Sequence, residues 1–276
     1  MTGHKTTLSA IVFGAGLAVL GGVSVEAQTL ELQLKASNYD AGTGVWSDSS
    51  GQGNNATFAG APLPNPTLSP GATPNGLAAV SLLGGTSAFT LQNSLAGASG
   101  YTIFAYCEIA STTSNNSGNA DSVNALTGST LNVNVGGALE YNVNSGLQDA
   151  TVEYGNDIVS GTATLSTSSF SLMDLAIDGS GSSVRLNGAA DGTGSGMTFG
   201  VGDDIDTIGN NTSDIQGFYG EIAEIDIYSG VLTDSQLVSF ENGLITEYGQ
   251  VPEPNAWIML AGGLLTLVAV GRLRRA

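Results

Sequence analysis

The chain has 276 residues, and its 24 acidic residues outnumber its six basic ones, which gives a formal net charge of −18. Such a charge repels phosphate backbones and anionic lipid heads, which argues against nucleic acid as a partner. The only histidine, His4, lies in the N-terminal segment described next and Cys107 is the only cysteine, which excludes a Ser-His-Asp triad, a Cys-His nucleophile, a histidine-type zinc site and an internal disulfide.

Residues 1–27 have the pattern of a secretory signal peptide. A polar start ending at Lys5 precedes an apolar run over residues 8–20. Val25-Glu26-Ala27 then places small residues on either side of Glu26, as a cleavage site requires. A buried core helix is the alternative, but the position at residue 1 and the polar flank favour export. We therefore expect the mature chain to begin at residue 28, outside the cytoplasm.

The chain after this segment is patterned as short strands separated by Gly, Asn, Ser and Asp. Residues 30–35 alternate leucine with polar residues, leucine inward. Residues 170–178 and 183–187 alternate in the same way, and the second ends in an Asn187-Gly188 turn signal. We predict an all-β fold, a two-sheet antiparallel sandwich that forms one domain over residues 28–250.

This predicted domain is strongly acidic. Without Glu26 and Glu253 it has 22 carboxylates, and its basic residues are only Lys35 and Arg185, so its formal charge is −20. The charge favours solubility at high salt and a capacity for divalent cations.

Residues 101–109 form a further β-type run that contains Cys107. We expect its thiol to be buried and to pack as a small hydrophobic group.

A hairpin is predicted from residues 130–135 and 139–143. A two-residue loop would place Val133 opposite a glutamate and mix the two faces. A three-residue loop, Gly136-Gly137-Ala138, places Val133 opposite Tyr141 and keeps the apolar residues together. The second register is therefore expected.

Four carboxylates, Asp203, Asp204, Asp206 and Asp214, fall in a segment rich in glycine and asparagine. Calcium binds oxygen ligands from several carboxylates and carbonyls, so these residues are candidate calcium ligands. A solvated acidic loop is the alternative, because the Asp-x-Asp spacing is short and no bidentate glutamate follows at the EF-hand distance. Calcium is the only cofactor that the sequence suggests.

The segment GEIAEIDIY, residues 220–228, contains carboxylates at two-residue spacing. Glu224 and Asp226 share a face of a strand, whereas Glu221 should point to the opposite face if the strand is regular. A retaining glycosidase uses two carboxyl groups about 5–5.5 Å apart, one to attack and one to protonate. The segment is thus either half of a catalytic site or a structural strand.

One helix is predicted near the end of the domain. Thr233 and Gln236 form a capping box, and Gly249 ends the helix. The inward face at helical spacing consists of Leu237, Phe240, Leu244 and Tyr248.

The C-terminal segment is apolar. Residues 256–271 are sixteen uncharged residues, about 24 Å of helix at 1.5 Å per residue, against about 30 Å of bilayer hydrocarbon. An arginine cluster follows and would keep the C-terminus in the cytoplasm. We predict a short transmembrane helix that anchors the exported domain, and a plain C-terminal anchor is one interpretation of it.

Pro252-Glu253-Pro254 stands immediately before this helix. The tripeptide, the apolar helix and the terminal arginines together resemble the bacterial PEP-CTERM sorting signal over residues 251–276. The resemblance implies that an exosortase recognises the tripeptide and removes the tail. The protein would be anchored in the inner membrane before processing and would then reach the cell surface or the exterior.

A second resemblance covers nearly the whole domain. The sequence WSDSSGQGNNAT, residues 46–57, resembles the W-x-D-x-S-G-x-G-N-x-A-T signature of laminin-G-like domains of the concanavalin A-like superfamily. Residues 75–80, 101–105 and 220–249 are similar to its later strands and final helix, with a weak match over residues 111–167. The resemblance implies a jelly roll in which the Trp46 loop packs near the C-terminal helix.

The polar residues of the Trp46 loop are a second candidate for a metal site. We interpret Asp48, Asn54 and Asn55 as turn-forming residues, because Asx side chains bond to nearby backbone.

The resemblance also bears on catalysis. Related glucanases place the acid/base after the nucleophile as E-x-D-x-E or E-x-D-x-x-E, but here Tyr228 or Ser229 stands in that place. We therefore expect no catalytic residue and a non-catalytic surface or matrix protein that binds glycan or supports extracellular polysaccharide. A glycoside hydrolase and a ligand-free structural surface protein are the alternatives.

Overall fold

The computed structural model describes most of the chain between residues 28 and 249. The described ranges are 28–58, 65–85, 88–96, 98, 100–110, 123–125, 127–128, 138–142, 149–154, 157–163, 166–167, 169–178, 181–195, 204–210 and 217–249. The predicted signal peptide (1–27) and sorting tail (251–276) lie outside them. No helix within these ranges is long and apolar enough to cross a membrane.

Seventeen strands and one helix lie within the described ranges. The strands are β1 Thr29–Asp40, β2 Val45–Asp48, β3 Ala56–Phe58, β4 Thr67–Ser69, β5 Ala79–Gly85, β6 Phe89–Ala96, β7 Gly100–Ile109, β8 Val123–Ala125, β9 Thr127–Gly128, β10 Ala138–Asn142, β11 Asp149–Tyr154, β12 Asp157–Ser160, β13 Ser171–Asp178, β14 Gly181–Leu186, β15 Ala189–Ser195, β16 Asp204–Ile208 and β17 Gly217–Ser229. The helix is α1, Asp234–Tyr248.

The strands form a sandwich, as the sequence predicts. In one layer the order is β1–β17–β7–β13–β14–β15, and the long β17 pairs with β1 through its second half and with β5 through its first. In the other layer β3, β6, β16 and β9 are neighbours, and β2 joins the layers by pairing with both β1 and β3. These pairs are all antiparallel, which suits a sandwich with one water-facing side.

Two hydrophobic cores hold these layers. The inter-layer core contains residues of both layers, among them Leu32, Ile103 and Phe89. Trp46 is fully buried in it, with its ring 5.3 Å from that of Phe89 and its Nε1 donating to the Lys35 carbonyl at 2.7 Å. The helix core lies between α1 and the outer face of the first layer, and it contains Phe104, Tyr106, Leu172, Leu237 and Leu244.

The alternation predicted for residues 30–35 is confirmed for Leu32 and Leu34, which are fully buried in the inter-layer core. It is wrong for Leu30, which packs against the helix core instead. The ladder between β1 and β17 shifts register between Leu30 and Leu32. Because a bulge inserts one extra residue, it moves the preceding side chain to the other face of the sheet.

The turn and the buried thiol predicted from the sequence are both confirmed. Asn187 and Gly188 have φ values of 52° and 80°, the two positive angles that a type I′ hairpin turn needs. Cys107 is buried in the inter-layer core, and burial raises the pKa of its thiol to about 12. The group is therefore a neutral packing residue at physiological pH.

The hairpin register predicted around Gly136 is wrong. Tyr141 in β10 pairs with Asn124 of β8 on one side and with Ala150 of β11 on the other. Both edges of β10 are therefore occupied, which leaves no edge at Tyr141 for pairing with Val133. Alternation alone could not identify the partner, because several short strands in this part of the sequence have similar patterns.

The helix begins and ends as predicted. Thr233 donates its N–H to Gln236 Oε1 at 2.9 Å as part of a capping box, and Gly249 follows the last turn with a φ of 86°. Its buried face consists of Leu237, Glu241, Leu244 and Tyr248. Phe240 was predicted on this face but lies at its rim, where its ring packs on Tyr228.

The C-terminal end of α1 is held by Asn75. Its side-chain amide donates to the carbonyls of Thr246 and Glu247, both at 3.0 Å, and its backbone N–H donates to the carbonyl of Tyr248 at 3.1 Å. Tyr106 also donates its hydroxyl to the carbonyl of Gly249. These bonds satisfy carbonyls that a helix end otherwise leaves without partners.

Candidate functional site

The acidic strand predicted from the sequence is β17, and Glu224 and Asp226 share its face beneath α1, as expected. Ile225 and Ile227 belong to the inter-layer core, so alternation directs the two carboxylates to the opposite side. Tyr248 of α1 donates its hydroxyl to Glu224 Oε2 at 2.6 Å. The helix therefore covers the carboxylates that resemble a catalytic pair.

Glu221 also lies on this face, which corrects the expectation that it points away from Glu224. Ile222 and Ile225 both belong to the inter-layer core although they are three residues apart, because β17 has a bulge between Ile222 and Glu224. Glu221 is paired with Glu108 of β7. Burial and the charge of Glu221 raise the pKa of Glu108.

Glu224 is 1% exposed, and both of its carboxylate oxygens have partners. Gln33 donates its Nε2 to Glu224 Oε1 at 3.0 Å, and the ammonium of Lys35 lies 3.3 Å from Oε2. Lys35 also contacts Glu247 of α1 at 3.0 Å. Burial raises the pKa of Glu224, although the bonds from Tyr248 and Lys35 oppose this change.

Asp226 is 3% exposed, and its Oδ1 has no hydrogen-bond partner among the described residues. Burial raises its pKa well above the usual value, and the neighbouring charge of Glu224 raises it further. Both effects favour the protonated form of Asp226 beside Glu224. With Asp226 protonated, the buried part of the group holds the Lys35 cation and the Glu224 carboxylate, and the exposed carboxylate of Glu247 also contacts Lys35.

A second group of one cation and two carboxyl groups lies under α1 on the strands β13 and β14. Arg185 of β14 donates to both carboxylate oxygens of Glu241, at 2.5 Å and 3.0 Å, and to the Gly188 carbonyl at 2.7 Å. Asp174 is fully buried, 3.6 Å from Arg185 Nε. Burial, followed by the charge of Glu241, raises the pKa of Asp174 to about 8, although Arg185 opposes this.

These two groups lie in one row across the sheet. The paired positions from β1 to β14 are Gln33, Asp226, Phe104, Asp174 and Arg185. Phe104, which belongs to the helix core, separates the two carboxylic acids. The row is therefore part of the packing interface with α1.

Neither Glu224 nor Asp226 is open to a substrate sugar. A retaining mechanism needs a substrate sugar between two carboxyl groups, whereas Glu224 and Asp226 are covered by α1 and bonded to their neighbours. The two positions where the glucanase patterns have their acid/base hold Tyr228 and Ser229, and the ring of Tyr228 packs against Phe104 and Phe240.

The predicted calcium ligands are only partly described. Asp203 and Asp214 lie outside the described residues, while Asp204 and Asp206 are in β16 and each is 5% exposed. The interpretation of these two as a solvated loop is therefore wrong. Within the described ranges no group of three or more His, Cys, Asp or Glu residues could hold a metal ion. A site that also uses Asp203 and Asp214 stays a prediction.

The Trp46 loop is organised by Asp48. Its Oδ1 accepts from the N–H groups of Gln33 and Ser50 at 2.9 and 2.8 Å, and its Oδ2 accepts from the N–H of Asn54 at 2.9 Å. Asn55 Oδ1 accepts from the N–H of Asp48 at 2.9 Å. Burial opposes ionisation of Asp48, but these bonds outweigh it and lower its pKa. The predicted turn-forming role is confirmed for Asp48 and Asn55, whereas the side chain of Asn54 bonds to the distant residues Glu31 and Asn93.

A pocket of about 140 Å³ opens beside this loop. It lies where the start of β1, the end of β6, the start of β7 and the end of β17 meet, and we call it the rim pocket. Its polar lining consists of Glu31, Asn54, Asn93, Ser94, Tyr101 and Ser229.

The shape of the rim pocket is fixed by hydrogen bonds. Asn54 is buried, its Nδ2 donates to the Glu31 carbonyl at 2.9 Å, and its Oδ1 accepts from Asn93 Nδ2 at 2.9 Å. Asp204 is paired with Ala96 at the edge of the pocket. The bonded amides of Asn54 and Asn93 therefore form a fixed frame for the pocket.

The electrostatic environment of the rim pocket is negative. Burial raises the pKa of the Tyr101 hydroxyl, and the charges of Glu31 and Asp204 raise it further, although a bond from the Ala98 N–H opposes them. Two carboxylates thus act on one side chain of the pocket lining. Of the polar lining, the sequence analysis singled out only Asn54, because Asn93 and Ser94 lie on β6, far from it in the chain.

A comparison with protein families finds one match. The profile of Laminin_G_3, described as the concanavalin A-like lectin/glucanases superfamily, matches residues 83–238, which is more than half of the chain. A comparison with curated proteins gave no significant match.

Solved structures with a similar fold have low sequence identity to this chain. Domain 4 of AbnA, a GH43 extracellular arabinanase from Geobacillus stearothermophilus, in complex with arabinotriose, has a TM-score of 0.59 at 20% identity, with 78% of this chain and 100% of that chain covered. Trypanosoma rangeli sialidase has a TM-score of 0.54 at 16% identity, with 80% and 33% covered. The binding domain of botulinum neurotoxin DC in complex with SialylT has a TM-score of 0.53 at 15% identity, with 78% and 52% covered.

We expect the free energy of unfolding to fall as the pH rises from about 4 to about 8. In the folded chain the pKa of Asp174 is about 8, so the carboxyl keeps its proton up to that pH. In the unfolded chain the same carboxyl has the ordinary pKa of 3.8 and has already lost the proton. Because the native state binds more protons in this window, stability is greatest below it and is lost as the pH rises through about 8. Asp226 and Glu224 act in the same direction. Urea unfolding followed by circular dichroism at several pH values measures the slope, which should be on the order of 1 kcal/mol per pH unit.

Two variants test the assignment to Asp174. Asp174→Asn cannot ionise, so its slope between pH 5 and pH 8 should be smaller than that of the wild type. Asp40→Asn removes the same charge at an exposed site whose pKa is lowered by bonds from Thr43 and Gly42, so it should keep the wild-type slope in this window. Equal slopes in all three proteins would contradict the assignment.

Proposed function

The chain belongs to the Laminin_G_3 family of the concanavalin A-like lectin/glucanases superfamily, and on that basis we propose that it is a non-catalytic, carbohydrate-binding protein of the cell surface or extracellular matrix. The observation that carries the proposal is the rim pocket, whose amides, hydroxyls and carboxylate match the hydrogen-bonding groups of a sugar. Two structures with a similar fold, the arabinanase domain and the neurotoxin binding domain, were solved with a carbohydrate bound.

The absence of catalysis is part of the proposal. It is supported by the burial of Glu224 and Asp226 beneath α1 and by the tyrosine that stands in place of an acid/base. The hydrolase alternative would need the helix to leave its core. That movement would expose Leu237, Leu244 and Tyr248, and two buried leucines alone contribute about 3–6 kcal/mol.

Export and sorting complete the proposal. The apolar N-terminal segment and the Pro252-Glu253-Pro254 tail support an exported chain that an exosortase processes after insertion of its C-terminal helix in the inner membrane. Extracellular polysaccharide is then the ligand that such a protein would meet. Calcium at Asp203, Asp204, Asp206 and Asp214 remains a candidate cofactor within this proposal.

The first experiment is a glycan array probed with the full-length protein. We expect retention of a subset of polysaccharides with intact polymer recovered after washing. A chain that binds no glycan on the array would favour the ligand-free structural alternative and would contradict the proposal.

A second experiment addresses catalysis. The wild type and Glu224→Gln should release no reducing sugar from any glycan that binds, and Glu224→Gln should change only stability, because it breaks the contact with Lys35. Reducing-sugar release by the wild type that this variant abolishes would establish the hydrolase instead. Asp40→Asn, which removes a carboxylate at an exposed position, serves as the control.

The third experiment addresses sorting. Glu253→Ala, expressed in a bacterium that has an exosortase, should remain uncleaved in the inner membrane fraction. Mass spectrometry of the mature protein measures the processing, and Glu247→Ala provides the same substitution at a residue before the tail. A mature mass that is unaffected by Glu253→Ala would show that the exosortase does not recognise the tripeptide.

A further inference from the structure

We propose that the rim pocket binds an uncharged saccharide unit and that the protein discriminates against glycans that carry carboxylate groups. The inference rests on the proposed function and adds to it the site and the chemical class of the ligand. Two observations carry it: the side chains that line the pocket, and the positions of the only two basic residues of the domain.

The lining of the rim pocket suits sugar hydroxyl groups. Asn93 and Ser94 are exposed at its mouth and offer amide and hydroxyl groups that both donate and accept hydrogen bonds. The Asn54 amide is held in place by bonds to Asn93 and to the Glu31 carbonyl, so its orientation is fixed before a ligand binds. Such preorganisation reduces the entropy that binding must overcome.

Charge excludes an anionic occupant. Glu31 contributes a carboxylate to the lining, and Asp204 is close enough to raise the pKa of Tyr101 with it. A ligand carboxylate in the pocket would lie within a few ångströms of these groups, closer than the ~8 Å over which physiological salt screens charges. Repulsion at that range weakens binding by at least about tenfold.

No basic side chain of the domain can offset this repulsion. Lys35 and Arg185 are the only basic side chains between residues 28 and 250, and both are held in ion pairs beneath α1. Lys35 is four residues along β1 from Glu31, about 13 Å at 3.3 Å per residue. Arg185 is on β14, on the far side of β7 and β13 from β17. The two cations are thus already paired, and neither is at the pocket.

The size of the pocket sets how much ligand it encloses. Its volume of about 140 Å³ is below the ~300–1,000 Å³ of sites that enclose a drug-sized ligand. One saccharide unit can enter it while the remainder of a chain stays in solvent. The site therefore suits recognition of a single unit within a longer polysaccharide.

The test uses glycan pairs that differ only in charge. Cellulose and polyglucuronate, and mannan and polymannuronate, are chosen with the same ring and the same linkage within each pair, so that a carboxylate replaces a hydroxymethyl group and nothing else changes. The full-length protein is applied to an array of such pairs in EDTA, which removes divalent cations that could bridge two carboxylates. Binding should be confined to the neutral members, with at least a tenfold preference within each pair that binds.

Two matched variants locate the discrimination. Ser94→Lys places a cation at the mouth of the rim pocket, so it should raise binding of the carboxylated member about tenfold relative to its neutral partner. Ser37→Lys makes the same substitution at an exposed position six residues beyond Glu31 on β1 and should leave the ratio unchanged. Melting temperatures establish that both variants are folded.

Each outcome decides the inference. If carboxylated glycans bind in EDTA as well as neutral ones, or if Ser94→Lys changes the ratio no more than Ser37→Lys, the inference is wrong while the proposed function stands. If no glycan binds at all, the proposed function fails and the inference fails with it. A neutral preference that only Ser94→Lys removes supports both.

Discussion

The helix α1 can pack on the sheet only because the carboxylates beneath it are neutralised in place. An ion transferred from water into a protein interior loses several kcal/mol of hydration even after relaxation, so an uncompensated carboxylate there would prevent close packing. Two groups beneath the helix each combine one cation, Lys35 or Arg185, with two buried carboxyl groups, and burial raises the pKa of one carboxyl in each, Asp226 and Asp174. Both cations of the domain are needed for this, and the helix core forms around them.

This constraint separates the part of the protein that resembles an enzyme from the part that can meet a ligand. The carboxylates of β17 face α1, which covers them and bonds to Glu224 through Tyr248. The strand ends beside the Trp46 loop, in contrast, open into the rim pocket. Because both basic side chains are paired beneath α1, the charged side chains at the rim pocket are acidic. The same ion pairs thus stabilise the fold and determine the charge of the remaining surface.

Much of the fold could be predicted from the sequence, because period-two alternation and helix caps are local signals. The alternation of Leu32 and Leu34, the Asn187-Gly188 turn and the Thr233 cap are cases in which neighbouring residues decide the outcome. The errors at Leu30 and Glu221 have one physical cause, a bulge that reverses the alternation of its strand. A bulge depends on the partner strand and has no local pattern.

The site was harder to predict because its parts are distant in the sequence. Glu241 is absent from the inward helix face that the sequence predicts, and only its contact with Arg185, far away in the chain, explains its burial. The rim pocket likewise joins Glu31, Asn93 and Ser229 from three strands. The Asx bonds around Asp48 were predictable, since all of their partners but Gln33 lie within the loop.

The Asn75 contacts at the end of α1 have a mechanical consequence. Any tension applied through the residues that follow Gly249 reaches the folded domain at the last turn of this helix. There the bonds from Asn75 to three consecutive carbonyls, and from Tyr106 to Gly249, connect the helix end to the loop before β5 and to the central strand β7. A pull on the residues after Gly249 would thereby be shared between two distant parts of the chain, so these bonds resist peeling of the helix from its C-terminal end.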